Sequence, residues 1–309
     1  MSWTFVLVTP DAVLGGYLDF VLERVSAAGL RVRACRVLAL DYRMLGRMYA
    51  HRDDPPPYRP NRVSLPPFVM TPLYALAPAA LVVLDGDCAT MLACKGKTRP
   101  EEAAAGSIRH AGENYVFNLV HCPDDPESAA VELAYLVGAD DAAAMPRVHG
   151  AVAPLVGARQ LAACLPAFGG PAALSFPAVA NRLRSRVVQR RAIAVQDDAA
   201  AVERLLRVQA ALDAERASLT AAASPVERLA IAQATDAQVR APLAETADAS
   251  LAPGLAALGA LYDIDGPRAP DAVKDLAAAG VYVAESEKVA LDAHAYTYWR
   301  QERGGAGAC

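Results

Sequence analysis

Of the five histidines in the chain, His121 has the neighbours best suited to chemistry. It closes the apolar run in NLVHCPD, residues 118–124, with Asn118 three positions before it and Asp124 three after. An imidazole is neutral near pH 7 and can act as a nucleophile or a proton carrier. Upstream, GKTRPEEAAAGSIR (residues 96–109) brings Lys97, Thr98, Arg99 and Arg109 into one short segment. A planar guanidinium there could pair with the oxygens of an anion such as phosphate. His51, His110, His149 and His294 lack comparable surroundings and read as surface or core residues. A second basic segment holds Arg182, Arg184, Arg186, Arg190 and Arg191. It could dock an anion, but a solvated helix face accounts for it more simply. The six cysteines are scattered without a CxxC pair, which predicts a reduced cytoplasmic setting and no structural zinc.

The elements around these residues alternate. Residues 3–9 are a β-branched apolar run ended by Pro10, a buried strand. Residues 15–28 carry Leu18, Val21, Leu22 and Val25 at helical spacing and stop at Gly29. Residues 30–40 alternate arginine with apolar side chains, as a strand with one wet face would. A helix is expected over 41–50, and a segment with seven prolines, 51–72, cannot form one regular element. Strands are expected over 78–84 and 116–121, and a helix over 126–137 with Pro126 at its start. This order describes an α+β, ferredoxin-like (split βαβ) domain with an antiparallel sheet, residues 1–142. A mainly α-helical domain of unknown role, residues 143–309, follows it. Its helices are expected over 176–195, 197–222, from 224 onward, and over 250–262, 271–279 and 285–302. Ser224 and Glu227 are spaced as a capping box.

Bulk properties narrow the function. A net charge of −4 argues against a general nucleic-acid binder. The 54% hydrophobic content is largely alanine, and no apolar run approaches the roughly 20 residues of a membrane span. No secretory signal is visible at the start, so a cytoplasmic protein with no membrane partner is expected. Arginine outnumbers lysine 26 to 4, which reads as the codon bias of a GC-rich bacterial genome.

Three strings, in order, resemble the nucleoside diphosphate kinase family. TFVLVTPD (4–11) is similar to the family's opening strand, which normally ends in Lys-Pro-Asp. GKTRPEEAAAGSIR resembles its G-x-T-[ND]-P loop followed by G-[TS]-I-R. NLVHCPD resembles N-x-[IV]-H-[GA]-S-D, which carries the active-site histidine. The resemblance covers residues 3–137 and implies a phosphotransferase that uses a nucleoside triphosphate with Mg2+. The metal would be held through the nucleotide phosphates, with no direct protein ligand. His121 would be the phosphate-carrying nucleophile. Glu132 would accept a hydrogen bond from the far ring nitrogen and fix the tautomer, and Tyr49 would sit beside the ring. Arg109 and Thr98 would contact phosphate, Asn118 the sugar hydroxyl, and Asp124 would lie near the phosphates and magnesium. Phe68 would stack on the base. The family assembles as oligomers, so a homodimer is expected.

The sequence departs from the pattern at two cations. The family lysine, which touches the sugar hydroxyl and the transferring phosphate, is Thr9; a family arginine is Leu92. Lys95, Lys97 and Arg99 lie close enough in sequence to substitute. Pro123 and Cys122 replace the small residues that usually follow the histidine. The expected function is therefore phosphotransfer through phosphohistidine at His121, with altered donor or acceptor specificity and a non-nucleotide acceptor among the options. An ordinary nucleoside diphosphate kinase with compensating cations and a weakly active nucleotide-binding scaffold are the alternatives. The C-terminal helices resemble no family; they could close over the His121 cleft and select the acceptor.

Overall fold

The computed structural model describes residues 2–40, 44, 72–147, 171–246, 252–260 and 269–304. The chain divides into two compact units, Met1–Pro171 and Ala172–Cys309. The first contains β1 (Trp3–Val8), α1 (Pro10–Leu14), α2 (Leu18–Ala27), β2 (Arg31–Leu38), β3 (Ala79–Asp85), α3 (Cys88–Lys95), β4 (Val120–His121), α4 (Pro126–Val137) and α5 (Ala139–Ala144). Its sheet runs β2-β3-β1-β4 with every neighbouring pair antiparallel. This is the ferredoxin-like arrangement expected from the sequence. The long β1–β3 ladder, Trp3↔Asp85 to Val8↔Ala80, forms its centre. Val6 and Val8 of β1 and Val82 and Leu84 of β3 join Val21 and Val25 of α2 and Met91 of α3 in one buried cluster. Burying such side chains contributes about 1.5–3 kcal/mol each.

Local chemistry explains where the elements differ from expectation. The expected 15–28 helix becomes a short α1 and a separate α2, because Gly16 turns the chain at φ 75. That conformation is inexpensive only for glycine. Helix α3 had no clear periodic signal; Asp87 starts it by accepting the Thr90 N–H at 2.7 Å, and Gly96 ends it at φ 83. A register irregularity at Val32/Ala34 leaves Arg33 out of the β2 ladder. Arg33 is buried and donates to Asp85 at 2.7 Å and to the Pro146 carbonyl, so this arginine does not lie on a wet face. The expected helix 41–50 and the proline-rich segment 51–71 lie outside the described residues, apart from Met44.

The described part of the second unit is helical: α6 (Phe176–Ala194), α7 (Ala199–Ala221), α8 (Pro225–Thr246), α9 (Ala252–Ala260), α10 (Ala269–Ala278) and α11 (Glu285–Gly304). Ser175 and Asp198 cap α6 and α7 through the N–H groups of Ala178 and Ala201. Ser224 accepts the Glu227 N–H at 3.2 Å, while the Glu227 carboxylate accepts from Ala223 at 2.8 Å. The basic segment of α6 is engaged internally. Arg182 and Arg186 both pair with Glu287, and Arg190 donates to the Gly280 carbonyl. Arg184 is buried between Glu215 at 3.5 Å and Asp236 at 3.6 Å. His294 stacks on Phe176 with ring centroids 3.7 Å apart, placing it in the core. Among the described residues, no helix is long and apolar enough to cross a membrane, and no cluster of three acidic, cysteine or histidine side chains could hold a metal.

Candidate active site

His121 reaches its position through an unusual approach of the chain. The expected strand 116–121 shrinks to Val120–His121, because Leu119 lies in the left-handed region at φ 73. A leucine there is strained by about 1–2 kcal/mol, so the neighbours must hold it. The Asp11 carboxylate accepts the Leu119 N–H at 3.0 Å, and the Leu119 carbonyl accepts the Thr9 N–H at 3.0 Å. Before it, Asn114 accepts the N–H groups of Val116 and Phe117 at 2.9 Å each, and the Asn118 amide donates to the Tyr115 carbonyl at 2.7 Å. The turn thus supplies its own hydrogen bonds and delivers His121 opposite Leu7 of β1.

Helix α4 delivers the partner. Asp125 caps it through the Ser128 N–H at 2.8 Å, and one turn further Glu132 faces the sheet, fully buried. His121 Nε2 lies 2.7 Å from Glu132 Oε2, with both side chains buried. A buried carboxylate opposite a ring nitrogen fixes that nitrogen as the N–H donor, which places the imidazole lone pair on Nδ1. The Phe5 ring, 6.4 Å away and tilted by 48°, packs beside the imidazole.

Two cations bracket the histidine's backbone. Arg109, buried, donates through Nε and Nη2 to the Val120 carbonyl at 3.2 and 2.8 Å, and through Nη1 to Thr98 Oγ1 at 3.1 Å. Lys95, the last residue of α3 and only 7% exposed, puts Nζ 3.5 Å from the Cys122 carbonyl and 3.8 Å from Asp124 Oδ1. Burial pushes the Cys122 thiol above its ordinary pKa, while Lys95 and Arg109 both pull it back. Burial likewise raises the Asp11 carboxyl, against the opposing influence of Thr9 and the Leu119 N–H.

His121, Glu132, Arg109, Thr98, Asn118 and Asp124 are therefore all carried by one stretch of sheet edge, loop and helix. Thr9 is buried at the end of β1 and meets this stretch through its backbone. Leu92 packs against the hydrophobic cluster and brings no charge. Tyr49 and Phe68 lie outside the described residues. One supporting residue, Asp11, was not singled out in the sequence, and Lys95 was named there only as one of three cations that could substitute. Asp11 was signalled by the Thr-Pro-Asp that ends the opening strand. Lys95 was signalled only by its place in a charged segment.

The nucleoside diphosphate kinase family model matches residues 2–142, and no family matches the C-terminal half. The nucleoside diphosphate kinase of Halorhodospira halophila is 33% identical over 142 residues, covering 45% of this chain and 94% of that protein. That of Sulfurimonas denitrificans is 33% identical over 138 residues, covering 44% and 94%. Among solved structures, the Aquifex aeolicus nucleoside diphosphate kinase matches at 26% identity and TM-score 0.37, covering 43% of this chain and 93% of that one.

Proposed function

Because the chain belongs, through residues 2–142, to the nucleoside diphosphate kinase family, we propose that it is a phosphotransferase that carries a phosphoryl group on His121. The observation that carries this is the buried His121 Nε2–Glu132 Oε2 contact of 2.7 Å. Glu132 holds the N–H on Nε2, so the Nδ1 lone pair attacks the terminal phosphorus of a nucleoside triphosphate. An N–P bond forms as the bond to the bridging oxygen breaks, and the electron pair leaves with the nucleoside diphosphate. An acceptor oxygen then takes the phosphoryl group and returns the neutral imidazole. Splitting the transfer in this way replaces one difficult displacement by two easier ones. Magnesium carried by the phosphates would spread the developing charge. Asp124, with its side chain 56% exposed, is the carboxylate suited to face it.

The neutral Thr9 and the core-packed Leu92 support altered specificity. Without the family lysine, less distinguishes the sugar hydroxyl of a nucleotide from another acceptor. The second reading, an ordinary nucleoside diphosphate kinase, is favoured by the buried Lys95, whose ammonium lies 3.5 Å from the carbonyl of Cys122, the residue after His121. Family membership also supports a homodimer.

Incubation with γ-labelled ATP and magnesium tests the first step. Label that survives alkali, is lost in acid and is absent from His121→Ala is the expected result. Wild-type protein that takes no label from any triphosphate would overturn it. Release of label to ordinary nucleoside diphosphates at family-like rates would select the second reading. Slow release to these and faster release to another phosphorylated or hydroxyl acceptor would select the first.

A further inference from the structure

We propose that Asp11 is a positioning residue for His121, acting through a strained turn at Leu119. Its kinetic consequence rests on the phosphotransferase reading above; its geometric consequence does not. The Val120 N–H donates back to the Asn118 carbonyl at 2.9 Å, which makes Leu119, at φ 73, the centre of a γ-turn. Turns of this hand are rare and strained. A leucine left to itself would relax toward the extended region, and His121 lies only two residues on. Strain of this kind persists where the surroundings over-determine it.

The surroundings here are three consecutive residues, Thr9-Pro10-Asp11. The Thr9 N–H donates to the Leu119 carbonyl at 3.0 Å, and the Asp11 carboxylate accepts the Leu119 N–H at 3.0 Å. The strained residue is therefore gripped at both of its backbone polar groups. Pro10, between the two grips, has a ring-fixed φ and opens α1, which keeps their spacing constant. Thr9 grips through its backbone, so the change from the family lysine leaves that contact intact. Asp11 grips through its side chain, and a substitution can remove it. Both Asp11 and Leu119 are buried, so an acceptor lost at Asp11 leaves the N–H unsatisfied. The Leu119 side chain also packs in the hydrophobic cluster, which ties a shift of the turn to a shift in the core. From the turn the chain runs through Val120, whose carbonyl accepts from Arg109, to His121 opposite Leu7. Relaxation at Leu119 moves the imidazole relative to Glu132, and a misplacement of about 1 Å costs on the order of 10²-fold in rate.

The competing explanation is local. Asp11 sits in the first turn of α1, where a carboxylate favours the free N–H groups of a helix start. Losing that contribution would lower stability without moving His121. Two measurements on the full-length protein separate the roles. One is the initial rate of labelling at saturating γ-labelled ATP with magnesium. The other is solvent exchange of the His121 Nε2–H proton, observed by NMR in 15N-histidine-labelled protein and assigned by its absence from His121→Ala. Asp11→Ala is expected to label about 10²-fold more slowly and to exchange this proton at least about tenfold faster. Asp11→Asn, whose amide oxygen can accept the same N–H, is expected to stay within about threefold of wild type in both. Folded Asp11→Ala that labels like wild type overturns the assignment, as does slower labelling with an unmoved, equally protected Nε2–H. If Asp11→Ala does not fold, a displaced or deprotected Nε2–H in Asp11→Asn overturns it instead. A wild type that takes no label ends the phosphotransferase reading alone. Faster Nε2–H exchange in Asp11→Ala would then still support the positioning role, and unchanged exchange would end it.

Discussion

At the scale of single residues, the carboxylate behind the imidazole decides which nitrogen can act. Glu132→Ala would leave Nε2 without its acceptor in a buried site. Labelling of His121 should then fall on the order of 10²-fold or more, read as the initial rate with γ-labelled ATP. Glu132→Gln should fall less, because its amide oxygen can still accept from Nε2. Asp11 governs a different property. Burial raises its carboxyl above the ordinary value of 3.8. Its folded-state pKa therefore exceeds its unfolded one, and its stabilising contribution is full below 3.8 and lost as pH rises through the folded value. Asp11→Asn should flatten that part of the stability–pH curve, measured by urea unfolding between acid and neutral pH. An unchanged slope would show that Asp11 does not titrate there. His121, Asn118, Arg109 and Asp124 could be picked out because they stand in strings that resemble the family's motifs. Asp11 acts on the backbone of Leu119, 108 residues away, and only the folded chain brings the two together.

At the scale of elements, the long periodic segments were legible and the short strained ones were not. The central strands and α4 follow from apolar runs and from Pro126 at a helix start. Helix α3 has only eight residues, five of them small, and gives little periodicity, although Asp87 and Gly96 mark its two ends. Strand β4 looked longer because its residues are apolar; the left-handed Leu119, which composition does not reveal, cuts it to two. The basic segment of α6 looked solvated because its acidic partners lie on α7, α8 and α11, far along the chain. Arg184 sits between Glu215 and Asp236, and burial raises the Glu215 pKa against the influence of Arg184. Arg184→Met would take the cation away from the buried Glu215, which keeps the Asn181 amide at 2.6 Å, while Asp236 keeps Arg240 at 2.8 Å. A loss of about 3–5 kcal/mol is expected in chemical denaturation, with histidine labelling little changed in the native protein. Loss of the Asp125 cap from α4, as Asp125→Ala, should cost about 1 kcal/mol and also slow labelling, since α4 carries Glu132.

At the scale of the whole molecule, the family match ends at residue 142, and the helices of Ala172–Cys309 make a second compact unit. The first unit contains every described residue assigned a role in phosphotransfer. A fragment ending at Pro171 should therefore still label His121 if it folds, and a change in acceptor preference would assign the helical unit to acceptor selection. The most direct measurement of the central claim is 31P NMR of the full-length protein after incubation with magnesium and ATP, denatured in alkali to preserve phosphoramidates. A single phosphohistidine signal of the Nδ1 type, absent from His121→Ala, is the result expected when Glu132 holds Nε2. A signal of the Nε2 type, phosphate on another residue, or no phosphohistidine would contradict it.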